Sequence, residues 1–103
     1  MRALSSGEAL PIDRTTFVLP PTQYIPESVD KNLVVLHFTA GQSAKSAFET
    51  WRRDSQRVGT AFVVELDGTI YELFPPTQWA FHLGIGGTTK HDRRSIGIEI
   101  AKV

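Results

Sequence analysis

The stretch LVVLHFTAG, residues 33–41, runs four apolar residues into a histidine, and it decides the fold. Its continuous apolar, β-branched character predicts a central strand that is covered on both faces. Side chains at the carboxyl ends of strands in an α/β sheet face the crevice where ligands bind, so His37 is a candidate site residue. A histidine at the edge of an apolar run is also commonly a core or rim residue with hydrogen-bonded nitrogens. Both interpretations of His37 stay open at this point.

The next segment, residues 43–57, is predicted to be a helix. Its apolar residues recur at helical spacing with charges opposite: Ala44, Ala47, Phe48 and Trp51. Ser46 and Glu49 fit a weak capping box at its start. Large aromatic residues on such a face are usually core anchors, so Phe48 and Trp51 are predicted to be largely buried.

Two further strand signals complete the predicted domain. The stretch TAFVVELDGTIYELF, residues 60–74, holds two β-rich runs joined by Asp67-Gly68, a dipeptide suited to a two-residue hairpin. The stretch SIGIEIA, residues 95–101, is a further apolar strand. Strand, helix, hairpin and strand in this order predict an α/β fold with a mixed central β-sheet and flanking helices.

Composition limits the classes of function. A chain of 103 residues forms one small domain, and equal numbers of acidic and basic residues, 11 each, provide no global attraction to nucleic acid or anionic membrane. Zero cysteines exclude a disulfide or a thiolate ligand within the chain. The opening residues show no signal peptide and no membrane-inserting helix, and the localisation stays unknown.

The first 31 residues differ from the rest in composition. They hold four of the six prolines and are predicted to form an extended N-terminal arm, followed by the domain proper over residues 32–103. The arm is expected to wrap the domain through its larger apolar side chains: Phe17, Leu19, Tyr24 and Ile25.

Glu99 interrupts an otherwise apolar strand. Burying a carboxylate is costly unless it is paired, bound to a cation or protonated. One interpretation is a structural salt bridge to Arg52, Arg53 or Arg94. The other is a general base, because alternation places Glu99 on one face with Gly97 and Ala101, whose small side chains leave space.

Two more histidines lie further along the chain. His82 stands between aromatic residues and the glycine-rich stretch GIGG, residues 84–87, where backbone can approach a ligand. The alternative is a loop histidine that packs on Trp79. GIGG is interpreted as a flexible rim rather than a phosphate site. His91 lies in a charged turn with Lys90, Asp92, Arg93 and Arg94, and we place it outside the site.

Four blocks, VVLHFTAG, FVVELDGTIYEL, QWAFHLG and RRSIGIEIA, occur in the order found in one known family. From Asn32 to about Ala101 the chain resembles the zinc-dependent N-acetylmuramoyl-L-alanine amidases of type 2, which are related to peptidoglycan recognition proteins. The resemblance implies that His37 is the first zinc ligand and that Glu99 is the catalytic base. It also implies a substrate groove, to which we assign His82, Thr39 and Trp79.

The implied reaction is hydrolysis of the amide between N-acetylmuramic acid and L-alanine in peptidoglycan by zinc-activated water. The partner is then peptidoglycan or a muropeptide, at the cell wall. His37, His82 and Glu99 should line one cleft, within about 10 Å of one another.

The chain departs from the family in two ways. Thr60 stands where members related to peptidoglycan recognition proteins have a tyrosine, which leaves the acid-base work to Glu99. The remaining Zn²⁺ ligands of the family lie C-terminal of the IGIE strand, beyond Val103. The resemblance therefore predicts that the chain is the N-terminal portion of an amidase, truncated at its C-terminus. The domain over 32–103 is then incomplete and inactive alone, and an apolar face of its sheet is left exposed.

Three alternatives stay open beside this interpretation. His82 or Glu99 could bind the metal directly. The chain could be a non-catalytic peptidoglycan-binding module that uses the same groove without metal. It could also be an interaction domain completed by a missing C-terminal segment or a partner chain.

Overall fold

The computed structural model describes residues 10–40, 43–84 and 89–102, apart from the side chains of residues 39 and 40. The strands of its mixed sheet are β1 (Ile12–Asp13), β2 (Leu33–Ala40), β3 (Phe62–Val64), β4 (Ile70–Glu72) and β5 (Ser95–Lys102). The helices are α1 (Ala44–Trp51) and α2 (Thr89–Arg94), with a 3-10 turn at Pro21–Gln23. Within these residues, no helix has the length and apolar character needed to cross a membrane. The predicted α/β fold with a mixed sheet and flanking helices is confirmed.

The order of strands in the sheet corrects one prediction. The order is β1-β4-β3-β5-β2, so β2 forms an edge of the described sheet instead of its centre. One face of β2 is also uncovered, because Val34, Leu36 and Phe38 are 63%, 51% and 59% exposed. An apolar run indicates that a strand can be buried but not which neighbour covers it. Here β5, from the far end of the chain, lies between β2 and β3.

The pairing of strands determines which residues share a face. β5 runs parallel to both β2 and β3, and it pairs Glu99 with His37 on one side and with Val63 on the other. Paired residues of neighbouring strands project from the same face of a sheet. Val63 belongs to the core cluster that includes Ala47 and Trp51 of α1, so α1 covers the face that carries His37 and Glu99.

Helix α1 is shorter than predicted and begins with a different cap. The Ser43 hydroxyl accepts a hydrogen bond from the backbone N–H of Ser46, and the Ser46 hydroxyl accepts one from the N–H of Ser43. This capping box replaces the one predicted at Ser46 and Glu49. The helix ends at Trp51, whose carbonyl accepts a hydrogen bond from the Gln23 side chain. Trp51 is buried, whereas Phe48 is only partly buried against the core.

The predicted hairpin is present with a longer loop. β3 and β4 are antiparallel, and the N–H of Glu65 donates to the Thr69 carbonyl while the N–H of Gly68 donates to that of Glu65. Gly68 has a φ of 88°, and Asp67 stays at negative φ. A single left-handed glycine after a type I turn gives a bulged loop, whereas the predicted two-residue turn needs positive φ at two positions or a glycine first.

The N-terminal segment packs on the domain as expected and also extends its sheet. Leu19 and Tyr24 are buried, and the Tyr24 ring stacks on Phe74 with centroids 4.9 Å apart. Phe17 contacts the rings of Phe48 and Tyr71. Residues of β1 pair with β4 in parallel, a regular element that proline content did not predict.

Candidate functional site

His37 and Glu99 are direct neighbours across two parallel strands. They are paired in the register of β2 and β5, and both project from the face that α1 covers. Glu99 is buried, with 6% of its surface exposed. A histidine and a carboxylate therefore lie side by side in the carboxyl-terminal half of the two strands, on the side of the sheet where α/β folds place ligands.

His82 reaches the same place from the loop after β4. Its Nδ1 lies 2.8 Å from Nε2 of His37, and the two rings meet edge to face. The ring lies over Gly97 of β5, where a Cβ atom would come within 3.1 Å of it. His82 therefore contacts His37 rather than packing on Trp79, and the absence of a side chain at residue 97 makes room for its ring.

Asp92 and Ser95 hold the other side of His82, and sequence reasoning missed both. Nε2 of His82 lies 2.8 Å from the Ser95 hydroxyl. Oδ1 of Asp92 accepts hydrogen bonds from the backbone N–H groups of His82 and Leu83, at 3.0 and 3.3 Å. Asp92 lies in a run of charged residues that the sequence presents as solvated, yet it is 1% exposed. Its position on α2, directly before the IGIE strand, is the signal that could have revealed it.

The electrostatics of the site favour a neutral His82. Its side chain is only 4% exposed. Burial lowers the pKa of His82 below its usual value, and the Asp92 carboxylate, 3.8 Å from Nε2, offsets only part of that effect. At neutral pH the ring therefore carries one proton and can both donate and accept a hydrogen bond.

The predicted structural salt bridge of Glu99 is not seen among the described residues. Arg52 and Arg53 both pair with Glu49 on the surface of α1, at 2.7 and 3.2 Å. The Nε of Arg94 is buried and has no hydrogen-bond partner among the described residues, so it does not bind Glu99. Glu99 is thus a buried carboxylate on the histidine face with no ion pair in residues 10–40, 43–84 and 89–102.

Other residues predicted for the site either make their contacts away from His37, His82 and Glu99 or lie outside the residues that the structure describes. Trp79 is buried, and its indole N–H donates to Glu27 at 3.2 Å while its ring meets Phe81. These contacts tie Trp79 to the N-terminal segment instead of to the two histidines. The side chain of Thr39 and residues 85–87 of GIGG fall outside the described residues. His91 is exposed on α2.

Thr60, at the position where a tyrosine was expected from the family pattern, is buried beside the site. Its hydroxyl donates to the Phe62 carbonyl at 2.8 Å, which satisfies its proton locally. Its methyl carbon lies beside Gly97, where an added Cβ would come within 3.2 Å of it. Thr60 therefore shapes the floor of the site without presenting an acidic proton to it.

The side chains present provide part of a metal site. His37 has the pattern of a zinc ligand, since one ring nitrogen is held by a hydrogen bond while the other is left to bind. Within the described ranges, however, no three His, Cys, Asp or Glu side chains come together to hold an ion. A catalytic zinc site takes three protein ligands, so these residues supply a single ligand position and not a complete site.

Comparison with solved structures shows the same fold. A mutant endolysin from Bacillus subtilis superposes with a TM-score of 0.70 at 22% identity, over 90% of this chain and 62% of that one. PlyL gives 0.73 at 18% identity, over 90% and 58%. The catalytic domain of XlyA gives 0.68 at 23% identity, over 89% and 61%. The chain thus spans about three fifths of the length of these structures.

Sequence comparison gives the family. Among curated proteins, none matches the chain at a significant level. The family model described as N-acetylmuramoyl-L-alanine amidase matches residues 27–103, which is well over half of the chain and includes His37, His82 and Glu99. The chain belongs to the N-acetylmuramoyl-L-alanine amidase family.

Proposed function

We propose that this chain is the N-terminal portion of a peptidoglycan hydrolase that cleaves the amide between N-acetylmuramic acid and L-alanine. The observation that carries the proposal is the pairing of His37 with Glu99 on one sheet face of a member of the amidase family. The endolysin structures that share its fold support the same class of substrate.

The proposal gives each residue a role that its position supports. His37 is one zinc ligand, and the remaining ligands are expected C-terminal to Val103. When bound, zinc lowers the pKa of a coordinated water and polarises a carbonyl. Glu99, buried and without an ion pair among the described residues, accepts a proton from the attacking water and returns it to the leaving nitrogen of L-alanine. His82 holds His37 in place and lines the substrate groove.

The test compares two lengths of protein on purified peptidoglycan. The 103-residue chain alone should release no stem peptides and bind zinc weakly, because each missing ligand leaves the ion held by water. A chain extended through the missing ligands should be active. In it, His37→Ala should abolish zinc retention, whereas Glu99→Gln should keep zinc and slow hydrolysis.

His91→Ala is the matched control, because it removes an exposed histidine outside the site and should change neither zinc content nor rate. Stoichiometric zinc and full activity in the 103-residue chain would contradict the assignment and indicate His82 or Glu99 as direct ligands.

Two other functions have an observation in their favour. The lack of a three-ligand group among the described residues favours a non-catalytic peptidoglycan-binding module, which would bind muropeptides equally well with and without a chelator. The uncovered face of β2 favours an interaction domain, which would form a stable complex with a separate C-terminal chain.

A further inference from the structure

A line of hydrogen-bonded groups leads from α2 to His37. The Ser95 hydroxyl lies 3.4 Å from the backbone carbonyl of Asp92 and 2.8 Å from Nε2 of His82. On the far side of that ring, Nδ1 of His82 lies 2.8 Å from Nε2 of His37. Each group in this line has a limited number of protons, so the direction of one bond determines the direction of the next.

The direction of these hydrogen bonds is set at the Ser95 end of the line, next to α2. The Ser95 hydroxyl can donate its single proton to the Asp92 carbonyl at 3.4 Å, which leaves the hydroxyl oxygen available as an acceptor toward Nε2 of His82. The hydroxyl oxygen then accepts a hydrogen bond from Nε2–H of His82. The Asp92 carboxylate, 3.8 Å from Nε2, favours the same arrangement because its negative charge stabilises a proton on that nitrogen.

The proton position on His82 then determines the proton position on His37. A buried, neutral His82 that carries its proton on Nε2 has a bare Nδ1, which accepts from Nε2–H of His37. Nδ1 of His37 is left with the lone pair. Asp92 also fixes the backbone at His82 and Leu83. The ring itself cannot turn away from this arrangement without losing its contacts with Ser95 and His37.

We propose that Asp92 and Ser95 are positioning residues that set the tautomers of His82 and His37, so that Nδ1 of His37 carries the lone pair. The purpose of this arrangement rests on the proposed function, in which that atom binds zinc. The tautomers themselves do not rest on it, because the hydrogen bonds are formed by this chain alone. Neither residue touches the substrate in this scheme, and both act through His82.

The experiment is a long-range proton–nitrogen NMR spectrum of the metal-free 103-residue chain, labelled with ¹⁵N-histidine and recorded at pH 8. His37 and His82 should both show a protonated Nε2 and a bare Nδ1, whereas exposed His91 provides a reference in which solvent averages the two forms. A proton on Nδ1 of either His37 or His82 would overturn the proposal.

Variants test the positioning role. Ser95→Ala removes the acceptor for Nε2–H, and the nitrogen signals of His82 and His37 should move toward the averaged positions of His91. Ser95→Thr keeps the hydroxyl and should restore the native signals. Should Ser95→Ala not give a native amide fingerprint, Ser95→Cys keeps the size and offers a weaker acceptor. Unchanged tautomers in a folded Ser95→Ala or Ser95→Cys chain would overturn the role of Ser95.

Asp92→Asn tests the second residue. This substitution keeps an oxygen that can accept the two backbone N–H groups but removes the negative charge beside Nε2 of His82. The fraction of His82 with a proton on Nε2 should fall, while the amide signals of His82 and Leu83 stay near their native positions. An unchanged His82 tautomer would overturn the role of the Asp92 charge. These spectra do not involve peptidoglycan, so failure of the amidase assay is distinguishable from failure of this proposal.

Discussion

Gly97 lies directly beneath the imidazole of His82, so that a Cβ atom at residue 97 would come within 3.1 Å of Cγ and Nδ1 of that ring. Gly97→Ala should therefore displace His82 and lengthen its 2.8 Å contact with His37. Overpacking of this kind costs on the order of 1–3 kcal/mol of stability. The measurement is urea unfolding together with the histidine NMR spectrum. A native spectrum with unchanged stability would show that the ring accommodates the methyl group and that the prediction is wrong.

Trp51 is the largest side chain of α1 in the core and is 8% exposed. Trp51→Ala should destabilise the chain by about 3–5 kcal/mol, since removal of a buried aromatic leaves a cavity that the surroundings only partly fill. Chemical denaturation followed by circular dichroism measures the loss. Phe48→Ala, on the same helix and only partly buried, should cost less. Equal losses in the two variants would contradict the difference in burial.

Asp13 should titrate at an unusually low pH. A hydrogen bond from the Thr16 hydroxyl, followed by those from the N–H groups of Thr15 and Thr16, lowers the pKa of Asp13 from 3.8 to about 2. Because the folded pKa is the lower one, this contribution to stability is complete above about pH 4 and is lost as the pH falls toward 2. Carboxyl-carbon NMR gives the midpoint. Thr16→Val should raise the titration midpoint of Asp13, whereas Thr16→Ser should leave it unchanged. A midpoint near 4 in the native chain would refute the prediction.

The exposed face of β2 should make the purified chain associate. Val34, Leu36 and Phe38 form an apolar row on an edge strand, and such rows promote contacts between chains. Leu36→Lys should reduce association measured by sedimentation velocity at rising concentration. Leu66→Lys is the matched control, because Leu66 is a leucine in the hairpin loop that is 63% exposed, compared with 51% for Leu36, and lies outside the row. Association that decreased to the same extent in both variants would indicate a nonspecific effect of charge.

The sequence by itself determined the elements and the family. Apolar runs, helical spacing and an Asp-Gly turn are local signals, so β2, α1, the hairpin and β5 were all predictable, with errors only at boundaries and in the loop. The pattern of residues around His37, His82 and Glu99 was sufficient to indicate an amidase, because each interrupts an apolar or aromatic stretch at a family position.

Tertiary structure alone decided how these elements meet. The edge position of β2 depends on β5, which is about 60 residues away in sequence, and no local pattern encodes that neighbour. The same pairing brings Glu99 beside His37. Asp92 looked like a surface residue because its own segment is charged, and its burial follows from a contact with a loop ten residues earlier. Ser95 begins an apolar strand, and no local pattern indicated its contact with His82, thirteen residues earlier. Local chemistry predicts what a residue can do, whereas only the long-range packing selects the partners with which it does so.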